Sequence, residues 1–216
     1  MPLFDGCTNA QIESLLTGSQ ERALQHRETL YRAGDQATTF SIILEGAVKL
    51  VKPTRLGNDI IVFFATPGDV VPALIMAQQN SSYPVSAIAM GPTVALIVPR
   101  QTYSSVWSAQ PGILQKMNGI LFSRMSEMHE QKAMTKSHLA PKIARQMISL
   151  MERLGGHGET VLPIPLTRQE IADSLGASVE SVIRVMSEWS QNGIIRTFDQ
   201  HIEIIQMDRI VEIMGS

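Results

Sequence analysis

One cysteine, Cys7, stands in 216 residues. From a single thiol no intrachain disulfide and no cysteine-ligated zinc or iron–sulfur site can be assembled. Such usage fits a reducing cytoplasm. No apolar run approaches the ~18 residues of a membrane span. Met1–Gly6 also lacks the basic and apolar regions of a secretory signal, so a cytoplasmic protein with no membrane partner is expected. An excess of positive charge is missing too: 18 Lys and Arg face 20 Asp and Glu, for a net charge of −2. Affinity for nucleic acid rests on cations that displace phosphate counterions, so any such role must depend on local arrangement and not on net charge. No Ser/His/Asp set, paired carboxylates or metal-ligand spacing stands out, and no enzymatic activity is expected. Internal repeats and low-complexity stretches are absent as well.

What remains is an ordinary globular composition, 44% hydrophobic and 18% charged, long enough for two small cores. From Glu28 to about Tyr103 short β-rich pieces alternate with turn signals. The clearest strands are Thr39–Leu44, Ala47–Lys52, Ile60–Ala65 and Thr93–Val98. The turns are Ala33-Gly34-Asp35, Glu45-Gly46, Leu56-Gly57-Asn58 and Pro67-Gly68-Asp69. This pattern predicts an all-β barrel or sandwich. Pro111 then opens a stretch to about Ser137 in which Leu114, Met117, Leu121, Met125 and Met128 recur at steps of three or four. That is one face of a helix some seven turns long. A helix of this length with an apolar stripe suits a two-chain coiled coil, and those five residues are the candidate dimer interface. Packing on its own β domain is the plainer alternative, and different faces can serve both. Pro141 suits the first turn of a further helix running to about Leu154, which Gly155-Gly156-His157-Gly158 ends. The expected divisions are 1–110, 111–138 and 139–216.

The stretch from Leu166 to Ile195 carries the most information. Thr167 and Glu170 form a capping box that starts a short helix with Ile171, Ala172 and Leu175 inward. Gly176 permits a sharp turn. Ser178 and Ser181 can cap a second helix, with Val182, Val185 and Trp189 as its buried stripe. Two short helices about a glycine turn make a helix-turn-helix. The second leaves Val179, Glu180, Ile183 and Arg184 on the other face, where a recognition helix meets base edges. Arg184 can donate two hydrogen bonds to guanine, and Glu180 can accept from cytosine. The bland alternative is an i,i+4 ion pair that merely supports the helix. Beyond Asn192-Gly193, Ile194–Phe198 and Ile202–Ile205 flank Asp199-Gln200-His201 as a β-hairpin wing, with Arg196 and His201 as donors for backbone phosphate. His201 reads equally well as a solvated turn residue.

Over nearly the whole chain the sequence resembles the Crp/Fnr family of regulators. The resemblance is carried by Leu30-Tyr31-Arg32-Ala33-Gly34-Asp35, Ile43-Leu44-Glu45-Gly46-Ala47-Val48 and Pro67-Gly68-Asp69. It continues in Leu166-Thr167-Arg168-Gln169-Glu170-Ile171-Ala172, then Gly176 and Val179-Glu180-Ser181-Val182-Ile183-Arg184. It implies an α+β chain: an N-terminal β-roll (jelly-roll, cyclic-nucleotide-binding-like), a long dimerisation helix and a C-terminal winged helix-turn-helix. By position, Thr167, Arg168, Ser178 and Ser181 would contact phosphate, and Glu180 and Arg184 would read bases. The implied partners are a second copy of the chain, double-stranded DNA with TGA-like halves in an inverted repeat, and RNA polymerase. Val179 sits where cyclic-AMP-type members usually carry arginine and the oxygen-responsive branch carries valine. That branch usually has serine where this chain has Ile183.

The sensor half departs from its relatives. Cyclic-nucleotide binders of the family hold ribose and phosphate with a glutamate and an arginine-serine pair. At the matching positions stand Ala73, Tyr83 and Pro84. An unpaired buried phosphate is costly, so cyclic AMP in the usual pose is not expected. Lone Cys7 excludes the four-cysteine iron–sulfur cluster of the oxygen-sensing branch. For haem, Pro2 is present, but Pro72 and Leu74 replace the other ligands of the carbon-monoxide-sensing relatives. His26 and His129 keep haem open, though each reads more simply as a surface histidine. The expected effector pocket, between β-roll and long helix, is lined by Leu74, Tyr83, Val85, Met125 and Met128. It suits a hydrophobic effector or haem, or is simply filled core. A regulator that works without ligand is the alternative within the family. A protein-interaction module that has lost DNA binding is the alternative outside it, and the seven Lys and Arg against ten Asp and Glu in 139–216 lean that way.

Overall fold

The computed structural model describes residues 2–54, 59–72, 81–133, 138–155 and 159–215, with the side chains of 130–133 left out. The chain divides into two compact units, Met1–Leu50 with Ala65–His129, and Val51–Phe64 with Glu130–Ser216.

In the first unit Thr8 caps a short helix α1 (Asn9–Leu15) through a capping box with Gln11. Eight strands follow along the chain, of which β5 up to Phe64 and the last two residues of β4 group with the second unit: β1 (Gln20–Leu24), β2 (Thr29–Tyr31), β3 (Thr39–Glu45), β4 (Val48–Lys52), β5 (Ile60–Ala65), β6 (Val70–Val71), β7 (Ser86–Ala89) and β8 (Thr93–Pro99). They form two four-stranded sheets, ordered β1-β8-β3-β6 and β2-β7-β4-β5. All four strands expected from the β-rich pieces between turns are present within a residue or so, and of the barrel or sandwich expected, two four-stranded sheets are observed. The turn expected at Leu56-Gly57-Asn58 lies outside the described residues.

The central strand β3 does not alternate, because both of its faces are covered. Its register with β8 (Ser41 opposite Ile97, Ile43 beside Ala95) puts Ser41 and Ile43 on one face. Phe40 and Ile42 fall on the other, where the Phe40 ring meets Trp107 edge-on at 4.9 Å. Trp107 is fully buried and donates its indole N–H to the Leu15 carbonyl at 2.8 Å. A buried aromatic of this size contributes about 1.5–3 kcal/mol or more, which explains how two short helical pieces are held on the sheet. Between β3 and β4 the chain turns at Gly46 (φ +71°), where a Cβ would lie 2.3 Å from the Pro92 carbonyl oxygen. Only glycine fits there.

After α2 (Arg100–Ser105) the long helix α3 runs from Pro111 to Ala133. The sequence extends it to about Ser137, but 134–137 lie outside the described residues. Arg124 ties α3 to the Pro67-Gly68-Asp69 turn: its Nε donates to Asp69 at 2.7 Å and its Nη1 to Glu127 at 2.7 Å. Burial works against the Arg124 charge, but Asp69 and then Glu127 outweigh it and raise its pKa. Asp69 also accepts from the backbone N–H and hydroxyl of Thr66, so the turn is fixed from both sides.

The second unit is built on α4 (Leu139–Arg153), α5 (Arg168–Leu175), α6 (Val179–Gln191), a hairpin of β9 (Ile195–Phe198) and β10 (His201–Ile204), and α7 (Met207–Met214). Helix α4 begins two residues ahead of Pro141, which therefore sits in its first turn as expected. Its apolar stripe, with Ile143, Met147 and Leu150 at most 2% exposed, forms a core with Leu162, Leu166, Ile171, Val182, Met186 and Ile210. Gln146, buried on α4, exchanges hydrogen bonds with the Ser174 hydroxyl of α5. Arg153, at the end of α4, donates to the Phe64 carbonyl at 2.7 Å and lies over the Phe63 ring.

Candidate nucleic-acid interface

Helix α5 starts where the sequence says it must. The Thr167 hydroxyl accepts from the Glu170 N–H, and the Glu170 carboxylate accepts from the Thr167 N–H at 2.8 Å. Glu170 is buried, and that reciprocal pair accounts for an acid in the interior. The helix ends at Gly176 in the left-handed conformation (φ +62°), which redirects the chain within two residues. Ser178 then caps α6, its hydroxyl accepting from the Ser181 N–H at 3.2 Å and bonding the Ser181 hydroxyl at 3.0 Å. Ser178 is exposed and Ser181 half-buried at the start of the helix, where backbone N–H groups and the helix dipole favour an anion.

The buried stripe of α6 is Val182, Met186 and Trp189. The expected Val185 is only half-buried: the steps are four and then three residues, which turns Met186 inward in its place. On the other side Glu180, Ile183 and Arg184 are exposed, Ile183 at 48%. Val179 is half-buried beside them. Among the described residues neither Glu180 nor Arg184 makes an ion pair or side-chain hydrogen bond, with each other or elsewhere. The i,i+4 ion pair weighed as the bland alternative is thus not formed. A row of one acid, one β-branched side chain and one guanidinium stands toward solvent with its hydrogen-bonding capacity unspent.

Arg168 at the start of α5 reaches across to the hairpin, donating to the Thr197 hydroxyl at 2.8 Å. Half-buried and with no carboxylate partner among the described residues, it has its pKa lowered by desolvation. A cation held this way is favoured by an incoming anion. A second tie joins the same regions, the Leu166 N–H to the Gln200 carbonyl at 2.9 Å. The hairpin turns through Asp199 and Gln200, both at positive φ (45° and 64°) although neither is glycine. Arg196 does not stand ready for phosphate. Directly opposite Glu203 in register, it is ion-paired to it at 2.6 Å. His201 is half-buried, bonded through Nδ1 to the Asp199 carbonyl and stacked near Phe198. Sequence reasoning missed Phe198, an aromatic 42% exposed on the hairpin. Its place next to the turn residues was the available signal.

The structure divides the other candidate residues. Leu74, like Ala73, lies outside the described residues. Tyr83 is buried, but its hydroxyl donates to the Thr39 carbonyl at 2.9 Å and bonds the Thr39 hydroxyl at 3.0 Å, so it is committed within the β-sandwich. Val85 and Met128 are half-buried, and Met125 is 49% exposed. Of the proposed dimer stripe, Met117 is buried within its own unit and Leu114 and Leu121 half so. Among the described side chains of α3, the large apolar ones left exposed are Phe122, at 72%, and Met125. Phe122 was not among the expected residues because it lies one position from the predicted stripe. His26 is no surface histidine: half-buried, it accepts the Gly91 N–H through Nδ1 at 3.0 Å. No helix among the described residues is long and apolar enough to cross a membrane.

Residues 21–109 match the model of the cyclic nucleotide-binding domain, and residues 141–213 that of the Crp-like helix-turn-helix domain. Among curated proteins, the chain is 28% identical over 187 residues to the nitrogen fixation regulation protein FixK of Bradyrhizobium diazoefficiens, covering 85% of this chain and 77% of that one. It is 24% identical to the transcriptional activator protein FnrA of Stutzerimonas stutzeri over 90% of this chain and 80% of the other. Among solved structures, a CRP-family transcriptional regulator of Thermus thermophilus superposes with a TM-score of 0.75 at 21% identity, over 90% of this chain and 97% of that one.

Proposed function

Since this chain belongs to the Crp/Fnr family of DNA-binding transcription regulators, we propose that it acts as a homodimer on an inverted repeat. In this proposal α6 enters the major groove of each half and the β-roll unit serves as sensor. The observation that carries the proposal is the exposed Glu180–Ile183–Arg184 row, capped by Ser178 and Ser181 and paired with nothing among the described residues. Arg168, Ser178 and Ser181 take the phosphates, Arg184 a guanine, Glu180 a cytosine amino group, and Val179 and Ile183 the apolar base edges between them, whereas Thr167 meets phosphate only if its hydroxyl is released from Glu170. His201 takes phosphate from the wing only through Nε2, because Nδ1 is spent on Asp199. Arg196 is assigned no phosphate, since Glu203 already neutralises it.

The apolar positions Phe122 and Met125 of α3, with half-buried Leu114, Leu121 and Met128 beside them, support the dimer. Covering such a stripe against a second copy removes two large side chains per chain from water. Two chains about a two-fold axis present two recognition helices, which sets the half-site centres about one helical turn (roughly 34 Å) apart. RNA polymerase is the partner through which the bound dimer acts.

The sensor unit, in the same proposal, does not take cyclic AMP in the usual pose. Where relatives place the phosphate's arginine, Tyr83 stands with its hydroxyl given to Thr39. Arg124, the α3 guanidinium of this unit, is engaged by Asp69 and Glu127.

Selection from a randomised duplex pool, read by sequencing the retarded fraction, tests the proposal. Enrichment of an inverted repeat with TGA-like halves is the expected result. A folded chain that enriches no sequence would overturn it and favour a protein-interaction module.

A further inference from the structure

Helix α6 carries two rows of side chains on its outward side. Glu180 and Arg184 are four residues apart, as are Val179 and Ile183, so the members of each pair adjoin across one turn and the rows run side by side. The first row is polar and makes no ion pair or side-chain hydrogen bond among the described residues. The second is apolar. Ile183 is 48% exposed and Val179 half-buried, whereas Val182, Met186 and Trp189 on the far side of the helix are buried. Those three serve the core of the unit, and packing within the chain does not call for an isoleucine at 183.

Given the DNA-binding function proposed above, on which this rests, we propose that Ile183 is a specificity-determining residue that reads the C5-methyl group of a thymine at or next to the G·C pair met by Arg184. The chemistry of the major groove decides the base. Guanine, adenine and cytosine present donors and acceptors there, and thymine alone adds a methyl group. Isoleucine neither donates nor accepts. Against a purine edge or a cytosine amino group it strips water from polar atoms and pairs none of them, which is costly. Against thymine, methyl meets methyl and both leave water. Reach limits the position: consecutive Cα atoms are about 3.8 Å apart and stacked base pairs about 3.4 Å, so Ile183 stays close to the pair that Arg184 contacts. The same methyl group stands on 5-methylcytosine, where it can be added without changing the base pair.

The test starts from the operator that the full native chain selects out of a randomised duplex pool. Competition mobility assays then compare it with copies in which one thymine per half-site is replaced by deoxyuridine, a change that removes the methyl group alone. At one thymine, at or next to the guanine contacted by Arg184, affinity is expected to fall about fourfold with one half-site changed and about fifteenfold with both. At that position 5-methylcytosine is expected to bind about fourfold better than cytosine. Ile183→Ala and Ile183→Ser, checked by their thermal transitions, are expected to bind the thymine and deoxyuridine operators equally while still discriminating the guanine. Deoxyuridine without effect at every thymine of the half-site, or an operator with no thymine there, overturns the proposal and leaves the DNA-binding function standing. A deoxyuridine penalty as large in Ile183→Ala as in the native chain overturns it too, because the methyl group then acts through the stiffness of the duplex and not through contact. Enrichment of no sequence at all overturns both together.

Discussion

Replacing Arg184 by alanine separates recognition from folding, because the side chain is exposed and bonds to nothing among the described residues. Exposed substitutions of this kind shift stability by no more than about 0.5 kcal/mol, so the thermal transition is expected to stay in place. Binding is another matter. A bidentate contact to guanine is worth about 1–3 kcal/mol, and a dimer on an inverted repeat makes it twice, so the loss is about 2–6 kcal/mol. At about 1.4 kcal/mol per tenfold, affinity for the selected operator falls between roughly thirtyfold and roughly twenty-thousandfold. The wide range matters less than the pattern. In a competition mobility assay, the unmutated chain is expected to discriminate the operator from one with the contacted guanine substituted, whereas Arg184→Ala should bind the two nearly equally. If the mutant keeps the same ratio between the operators as the native chain, Arg184 is not a base reader. The outward face of α6 would then be misassigned.

Arg168→Ala removes a half-buried cation whose one partner among the described residues is a hydroxyl; affinity for operator and random duplex should drop together, and the slope of log affinity against log salt should fall by about one per protomer. Thr167→Ala breaks a reciprocal cap and should cost about 0.5–2 kcal/mol of stability, read as a lowered denaturant midpoint at unchanged slope. Charged residues at both Leu121 and Met125 should yield a monomer by sedimentation that no longer retards the operator, and retained dimers would show the interface lies elsewhere. Calorimetric titration with cyclic AMP or cyclic GMP is expected to be featureless at micromolar levels. A stoichiometric isotherm there would refute the argument from Tyr83.

The helix-turn-helix was legible because everything that forms it is local. Thr167 and Glu170 are three residues apart, Gly176 marks the turn, and Ser178 starts the next helix, so sequence and geometry speak the same language. The β-roll was legible only where strands alternate or are strongly apolar. β1 was not expected, since four of its five residues are exposed and it exists by pairing with β8, at the far end of the same domain in sequence. Helix α7 was passed over although Met207, Ile210, Ile213 and Met214 recur at helical steps along its less exposed side. Arg196 misled for a related reason: its neighbour Glu203 is set by strand register and not by spacing along the chain. Val185 yielded to Met186 because a stripe of period 3.6 admits either spacing, and tertiary contact decides between them.

The two ties between the start of α5 and the wing, Arg168 to Thr197 and Leu166 to Gln200, leave these elements little freedom to adjust separately. Whatever duplex they meet must present groove and flanking phosphates at the spacing the protein already has. Rigidity on this side transfers the work of adaptation to the nucleic acid, and base-pair steps differ in how easily they roll or kink. Sequence then enters the affinity at positions no side chain reaches, through the compliance of the helix itself.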